Sequence, residues 1–348
     1  MNDSTNIKLI VDNALDKIEE TIGTSPFFAV IAAHHLFRNL YPSDPYIKVN
    51  NNLNINERVK KAAVEVVELI ELSEKLGNYQ KDSSVSIDFS IQNENLVRQT
   101  GEIYGSLWRE FNFENVIKEA KEILQQRFTA NGYNLADIAK GQVLDAGCGS
   151  GRYTLALVDK CESIIGLDYG DEGLQLAKNS LSAYPLSVKE KVKFQKGDLI
   201  DLPFPDETFD FVFSNGTAHH TINPIKAIEE IIRVTKKNGS IFLYLYGSGG
   251  VFWHARKRMN KFMKRIPPKD TRDILKSMGM PSNRFIFEDN WYVPIENHMA
   301  RADVEKIFEQ NNIDFDFLKS GRDTDLTPSN SDEFELWGEG ELRWIIQK

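Results

Sequence analysis

The chain has 348 residues, of which 41% are hydrophobic and 27% are charged, and its formal net charge is −9. This length can bury one large core and a smaller one, while no stretch approaches the roughly 20 apolar residues of a membrane span and the N-terminus has no apolar signal segment. Two cysteines are too few for a disulfide framework or a four-cysteine zinc site, and the acidic balance argues against a large nucleic-acid footprint, so we expect a cytoplasmic protein without a metal.

Residues 1–98 are predicted to form an N-terminal helical unit, which is a candidate lid over a substrate. Apolar residues recur at helical spacing over residues 6–22 and again over residues 55–77. Between these stretches, "SPFFAVIAAHHLFRNLY" predicts a more buried helix, with Ser25 as its N-cap and Pro26 at its first position.

From about residue 112 the pattern changes to strands that alternate with helices. The apolar segments "QVLDAG", "SIIGLDY", "VKFQKGD", "FDFVFSN" and "SIFLYLYG" are separated by helical stretches. This alternation predicts an α/β fold with a doubly wound, mostly parallel sheet and helices on both faces. With "FDFLKS" and "ELRWIIQK" as closing strands, the sheet is predicted to have seven strands. Residues 99–348 are predicted to be one domain that carries a cap insertion at about 247–300.

A glycine loop follows the first of these strands, in "LDAGCGSGRYTLAL", with glycines at Gly147, Gly149 and Gly151. Such a loop brings the backbone close to a nucleotide-like ligand at the carboxyl edge of the sheet, whereas a lone glycine pair is more often a plain tight turn. Asp168 ends the next strand about 20 residues later, where an acid binds ribose hydroxyls. A dinucleotide site needs G-x-G-x-x-G, and Arg152 occupies the place of the third glycine, so the spacing disfavours NAD and FAD.

The order of these motifs resembles class I S-adenosylmethionine-dependent methyltransferases. An acid two residues before G-x-G-x-G, then "GLDYG", then the run from "GDLIDLPF" to "SIFLYLYG" together cover roughly residues 140–247. Within that family the chain looks most like the small-molecule branch that includes quinone and sterol methyltransferases. "SNGTAHH" stands where the adenine-N6 and glutamine enzymes carry N-P-P-Y or D-P-P-Y, which argues against those substrates. The resemblance implies a Rossmann-like methyltransferase fold, an antiparallel last strand and S-adenosylmethionine as cofactor.

The same resemblance implies a role for individual residues. Asp145 and the glycine loop are implied to hold the methionine end of the cofactor, and Asp168 its ribose hydroxyls. Asp198 and the Leu199 amide are implied to lie by the adenine, and Tyr104 is implied to fold over the cofactor. The residues implied to bind the cofactor are Tyr104, Asp145, Gly147, Cys148, Gly149, Gly151, Asp168, Tyr169, Asp198, Leu199, Ser214 and Asn215.

Methyl transfer needs a base only where the nucleophile carries a proton that must leave. His219 and His220 are the candidate catalytic residues, because they follow the fourth strand at the cofactor edge and histidine titrates in the useful range. The alternative is that they cap the following turn or pack under the cofactor.

The insertion begins with a basic and aromatic segment, "GSGGVFWHARKRMNKFMKRIPPK", that contains no acid. This run is either a solvated helix face or a surface for an anionic small molecule, a lipid headgroup or an RNA phosphate. The candidate substrate-binding residues are His254, Arg258, Trp291, Tyr292 and His298.

Taken together, these features predict an enzyme that transfers a methyl group from S-adenosylmethionine to a small molecule by in-line displacement. The alternatives are an RNA methyltransferase that uses the basic insertion 256–269, and a non-catalytic cofactor-binding scaffold or regulator. The expected partner is a small-molecule substrate. Nucleic acid is disfavoured, no membrane span is expected, and a homo-oligomer is left open.

Overall fold

The computed structural model describes residues 6–42, 54–77, 96–108, 113–279, 289–319, 321–322 and 324–348. The strands are β1 (Gln142–Ala146), β2 (Ser163–Asp168), β3 (Val192–Lys196), β4 (Phe209–Asn215), β5 (Thr235–Tyr246), β6 (Asp314–Phe317) and β7 (Glu341–Gln347). The helices are α1 (Ile7–Ile22), α2 (Pro26–Asn39), α3 (Ile55–Gly77), α4 (Leu96–Trp108), α5 (Phe113–Ala130), α6 (Leu135–Ile138), α7 (Arg152–Leu157), α8 (Asp171–Ser182), α9 (Leu186–Lys189), α10 (Pro224–Val234), α11 (Gly250–Met263), α12 (Pro268–Ser277), α13 (Asp289–Tyr292), α14 (Arg301–Gln310) and α15 (Ser331–Trp337).

The described residues divide into two compact units. One, the helical unit, comprises those of Met1–Glu94, Gly249–Tyr292 and Asp323–Gly338. The other, the sheet unit, comprises those of Asn95–Ser248, Val293–Arg322 and Glu339–Lys348. These bounds differ from the predicted domain boundary at residue 98, because most of the insertion and part of the last connection belong with the N-terminal helices.

The helical unit joins three separate parts of the chain in one aromatic core. Phe37 of α2 packs against Phe252 of α11 and Trp291 of α13, with ring centroids 5.7 Å and 6.0 Å apart. From α15, Trp337 Nε1 donates a hydrogen bond to the Leu40 carbonyl at 2.8 Å. The predicted N-terminal helices are present, although the Ser25 side chain, in the N-cap position of α2, makes no capping hydrogen bond.

The sheet unit contains a seven-stranded sheet in the order β3-β2-β1-β4-β5-β7-β6. The first five strands are parallel, and β7 lies antiparallel between β5 and β6. The predicted fold class is therefore confirmed, including the antiparallel last strand. Because the parallel strands all end at one edge, the loops after β1, β2, β3 and β4 meet there.

Both faces of this sheet are covered, as the sequence pattern predicts. Leu243 and Leu245 of β5 belong to a core that includes Ile231 of α10 and Phe308 of α14. On the opposite face, the Phe242 ring stacks on those of Phe213 and Phe128 at 4.9 Å and 5.6 Å. Since side chains alternate along a strand, Tyr244 and Tyr246 lie on the Phe242 face, close to the carboxyl edge.

Candidate active site

The glycine loop, residues 147–151, connects β1 to α7 at the carboxyl edge of the sheet. Gly147, Gly149 and Gly151 have φ angles of +90°, +54° and +77°, a region that L side chains rarely adopt. A Cβ atom on Gly147 would clash with the side chain of Thr217. The Thr217 hydroxyl also donates a hydrogen bond to the Gly147 carbonyl at 3.2 Å. The loop is thus packed tightly against the turn that follows β4.

Two carboxylates flank the glycine loop, the buried Asp145 and the partly buried Asp168. Asp168 accepts hydrogen bonds from the Gly149 and Gly170 N–H groups, both at 2.8 Å. Asp145 accepts a hydrogen bond from the Thr154 hydroxyl at 2.6 Å. In the described part of the chain, neither carboxylate forms an ion pair with a Lys or Arg side chain.

Burial dominates the electrostatics of both groups. It raises the pKa of Asp145 to about 7, against the lowering effect of the Thr154 hydrogen bond, and the negative charge of Asp168 raises this pKa further. Burial also raises the pKa of Asp168, although hydrogen bonds from backbone N–H groups partly oppose it. Two carboxylates with raised pKa values and no ion pair to Lys or Arg among the described residues favour a ligand that carries positive charge.

Two polar atoms at the end of β4 lack partners. Ser214 Oγ and Asn215 Oδ1 are buried, and neither finds a hydrogen-bond partner among the described residues. Leaving such a group unsatisfied costs about 1–3 kcal/mol. Because β4 ends beside the glycine loop, these atoms fit the wall of a ligand site.

The other predicted cofactor residues lie along the same edge. Cys148 is buried within the loop, and burial raises the pKa of its thiol well above the usual value, so the sulfur stays neutral. Tyr169 directly follows β2, and the Lys196 ammonium lies 5.7 Å from its ring centroid. Asp198 follows β3 and accepts a hydrogen bond from the Ile200 N–H at 3.1 Å, while Leu199 between them is buried.

The turn after β4 carries the two predicted catalytic histidines. His219 is fully buried, and its ring centroid lies 3.7 Å from that of Tyr246. His220 Nε2 lies 3.0 Å from the Tyr104 hydroxyl, and its Nδ1 lies 2.7 Å from the Ile295 carbonyl oxygen. The structure therefore places Tyr104, which was predicted to contact the cofactor, in direct contact with a predicted catalytic residue.

Asn297 fixes this turn, and the sequence reasoning missed it. Its backbone N–H and its Nδ2 both donate to the His219 carbonyl, at 2.9 Å and 3.0 Å. Nδ2 also donates to the Thr221 carbonyl at 2.9 Å. These bonds hold the backbone on both sides of His220. No local pattern in the sequence points to Asn297, because its partners lie more than 70 residues away.

Of the predicted substrate residues, only His298 lies in the sheet unit. Its Nε2 pairs with the Glu296 carboxylate, and its ring lies edge-on to Tyr246 at 6.3 Å. The other four belong to the helical unit. Trp291 and Tyr292 are buried there, with the Tyr292 hydroxyl 2.5 Å from the Thr271 hydroxyl.

His254 and Arg258 are engaged with acids of α1 inside the helical unit. His254 Nε2 lies 2.6 Å from Asp12 Oδ1, and Arg258 pairs with Asp12 and Asp16 at 3.2 Å and 2.6 Å. Burial opposes ionisation of Asp12, but hydrogen bonds from Lys8, His254 and Arg258 lower its pKa to about 2. These contacts join α11 to α1.

Neither a metal-binding cluster nor a membrane-spanning helix is present within the described ranges. Those ranges contain no group of three His, Cys, Asp or Glu residues that could hold a metal ion. None of their helices combines the length and the apolar composition of a membrane span. The cytoplasmic location and the oligomeric state stay predictions.

The comparison with known proteins bears on the segment that carries this site. A family model described as a methyltransferase domain matches residues 144–243. Residues 144–243 are a methyltransferase domain. They contain the glycine loop, Asp168 and the histidine turn, whereas Tyr104 and Asn297 lie outside the matched residues. The resemblance to class I S-adenosylmethionine-dependent methyltransferases is confirmed, and S-adenosylmethionine is the cofactor of that family.

The relatives match part of this chain rather than the whole of it. The chain is 35% identical to YcgJ, an uncharacterized methyltransferase of Bacillus subtilis, over 30% of this chain and 40% of the relative. It is 26% identical to a demethylmenaquinone methyltransferase of Clavibacter sepedonicus, over 38% of this chain and 52% of the relative. The crystal structure of YcgJ matches with a TM-score of 0.42 at 19% identity, and covers 61% of this chain and 93% of that one. The chain spans about half the length of the curated relatives it matches.

Proposed function

We propose that this protein transfers the methyl group of S-adenosylmethionine to a small-molecule acceptor by in-line displacement. The observation that carries the proposal is the pair of carboxylates that flank the glycine loop of a methyltransferase domain, the buried Asp145 and the partly buried Asp168, whose pKa values are both raised. S-adenosylmethionine brings an ammonium group for Asp145 and ribose hydroxyls for Asp168, and both offset the cost of removing these carboxylates from water. When bound, it supplies a methyl group that is already activated for nucleophilic attack.

The cofactor roles that we propose follow from position along the carboxyl edge. Asp145 and the backbone of the glycine loop hold the methionine end, and Asp168 accepts hydrogen bonds from the ribose hydroxyls. Asp198 and the Leu199 amide lie by the adenine. The orphaned Ser214 and Asn215 oxygens, the buried Cys148 and the ring of Tyr169 complete the lining of this site.

The charge distribution of the basic run 256–269 favours a small-molecule substrate over RNA. Arg258 and Arg265 of the basic run pair with acids of α1, the latter with Glu19 at 2.7 Å. Arg256 is buried with its guanidinium 5.6 Å from the Trp253 ring centroid, and Lys269 pairs with Asp273 at 2.6 Å. RNA binding depends on exposed Lys and Arg side chains that neutralise phosphates and release their counterions. Cations that are already paired or buried contribute little to such binding.

Between the two predicted catalytic histidines, the geometry favours His220 as the base. Its ring nitrogens contact the Tyr104 hydroxyl and the Ile295 carbonyl, and the His219 ring packs at a tilt against that of Tyr246 in the interior. We therefore propose that His220 takes up the proton of the acceptor through the Tyr104 hydroxyl and that His219 supports it by packing.

Calorimetry and a transfer assay test the proposed function. The protein should bind S-adenosylmethionine and its demethylated product and should not bind NAD. Incubation with methyl-labelled cofactor and a cell extract should place label in the fraction below about 1 kDa. Binding of NAD with no response to S-adenosylmethionine would refute the cofactor assignment. Methyl label in RNA, together with RNA binding that weakens as the salt concentration rises, would refute the small-molecule assignment.

A further inference from the structure

The contacts of His220 determine which of its nitrogens carries the proton. A carbonyl oxygen only accepts hydrogen bonds, so the 2.7 Å contact with the Ile295 carbonyl requires a proton on Nδ1. The neutral ring then presents a lone pair at Nε2, and the Tyr104 hydroxyl at 3.0 Å donates to it. These contacts form one chain of hydrogen bonds, which runs from the Tyr104 hydroxyl to the imidazole and from the imidazole to the Ile295 carbonyl.

We propose that Tyr104 and His220 form a proton relay, with Tyr104 as the group that meets the acceptor substrate, and that this substrate bears a nucleophile that carries a proton. The relay deepens the methyl transfer proposed above and rests on it. An alcohol, a phenol or an amine with an N–H bond fits such a site. A thioether or a tertiary amine has no proton to give up, and a relay would serve no purpose for it.

The position of Tyr104 in the fold supports this role. Helix α4, which carries it, packs on α8 so closely that a Cβ atom on Gly105 would clash with Glu172 near the beginning of α8. Because α8 begins three residues after Asp168, the phenol is held at the carboxyl edge next to the glycine loop. On the other side, the His220 N–H donates to the Thr217 carbonyl at 2.8 Å, and Thr217 contacts Gly147.

With these groups, every bond and every proton of the transfer step is accounted for. The acceptor atom forms a bond to the methyl carbon, and the carbon–sulfur bond breaks with its electron pair left on sulfur. The proton of the acceptor atom moves to the Tyr104 oxygen, and the Tyr104 proton moves to His220 Nε2. The resulting imidazolium keeps its Nδ1 hydrogen bond to the Ile295 carbonyl, which stabilises the positive charge.

Asn297 is a positioning residue for this relay. It does not touch the His220 ring, but it fixes the carbonyls of His219 and Thr221 on either side of it. Asn297 is also two residues from Ile295, so one short segment sets both the backbone of the turn and the tautomer of the ring. Loss of Asn297 is expected to free the ring to adopt other orientations.

Nitrogen-15 NMR of the full-length protein with labelled histidine tests the tautomer without any substrate. His220→Gln identifies its resonances among the six histidines. In the wild type, Nδ1 should be protonated and Nε2 should be an unprotonated acceptor. Tyr104→Phe should shift Nε2 by several ppm and leave Nδ1 nearly unchanged, and Asn297→Ala should shift both. A protonated Nε2, or an Nε2 resonance that Tyr104→Phe leaves in place, would overturn the relay.

A matched control separates positioning from general loss of stability. Asn131 braces two segments in the same way, since its Nδ2 donates to the carbonyls of Arg127 and Lys319 at 2.7 Å and 2.9 Å. Asn131→Ala should lower the melting temperature as Asn297→Ala does, but should leave the His220 resonances unchanged. If both variants alter those resonances equally, Asn297 has only a structural role.

The substrate class is tested with methyl-labelled S-adenosylmethionine and two pools of probe compounds. The first pool contains alcohols, phenols and primary amines, and the second contains thioethers and tertiary amines. Label should enter the first pool only. Tyr104→Phe should cut that rate by roughly 10²–10⁴ with cofactor affinity unchanged. With a phenol as acceptor, the deficit should shrink as rising pH ionises the phenol. Label in the second pool, or a wild-type rate in Tyr104→Phe, would overturn the proposal. A wild type that fails to bind the cofactor would instead refute the proposed function, with the NMR result unaffected.

Discussion

Replacing Asp145 with asparagine should stabilise the protein in the absence of cofactor, although Asp145 lies in the candidate active site. Burial raises the pKa of this carboxyl from 3.8 to about 7. Between these two pH values the folded protein binds a proton that the unfolded chain does not, so the free energy of unfolding falls as the pH rises through this window. Since one pKa unit corresponds to about 1.4 kcal/mol, the full loss above pH 7 is about 4 kcal/mol.

The measurement is urea or thermal unfolding of wild type and Asp145→Asn from pH 4.5 to 8. The variant should be more stable than the wild type by up to about 4 kcal/mol at pH 8, and the gap should narrow toward pH 4.5. Asp210→Asn is a control for which the opposite change in the free energy of unfolding is expected. Burial raises the pKa of Asp210, but hydrogen bonds from Lys236 outweigh that effect and lower it, so this variant should be destabilised at neutral pH. A wild type whose stability does not change between pH 5 and 8 would refute the reasoning.

The ligand should reverse the order of stability. A cation held next to Asp145 lowers the pKa of the carboxyl, so binding S-adenosylmethionine at pH 6.5 should release a proton from the wild type. Calorimetry in two buffers of different ionisation enthalpy measures that release directly. Asp145→Asn should release less and should bind the cofactor more weakly. Equal proton release in both proteins would show that the charge of Asp145 does not face the ligand.

Three further outcomes follow from single contacts. Asp168→Ala should weaken S-adenosylmethionine binding at least tenfold in calorimetry, because charge-assisted hydrogen bonds to the ribose contribute about 1.5–3 kcal/mol; unchanged affinity in a folded variant would mean that the site is misplaced. Gly147→Ala should abolish cofactor binding and lower the melting temperature far more than Gly132→Ala, because Gly132 has a similar φ of +78° but nothing within 4 Å of the added Cβ; equal effects would mean that steric crowding plays no part. Arg258→Ala should lower the melting temperature, because it removes ion pairs to α1. It should leave RNA binding equally weak at 50 mM and 200 mM salt, and strong RNA binding that this variant weakens would contradict the small-molecule assignment.

The parts of the site that the sequence predicted are those encoded locally. The glycine loop and Asp168 follow from residue type and spacing, because φ angles of +90° and +54° need glycine and because the carboxyl edge of a parallel sheet gathers the ends of its strands. The antiparallel β7 followed from the family resemblance, because β7 carries little signal of its direction in its own residues.

The parts that the sequence did not predict depend on partners that lie far apart. Tyr104 and His220 are 116 residues apart, and Asp12 and Arg258 are 246 apart. No periodicity connects such pairs, since each side chain satisfies only the local pattern of its own helix or turn. For the same reason, the absence of acids within the basic run gave no indication that α1 supplies them.

Two features of the candidate site are unfavourable for folding in the absence of a ligand. The buried Asp145 and the partly buried Asp168 have no ion pair with Lys or Arg among the described residues, and the buried oxygens of Ser214 and Asn215 have no hydrogen-bond partner there. The hydrogen bonds that the two carboxylates accept offset only part of the cost of burial, since both pKa values stay raised. A ligand with positive charge and with hydrogen-bond donors offsets these costs. The polar groups at this edge of the sheet are therefore best explained by a cationic cofactor, which is the physical basis of the methyl transfer proposed here.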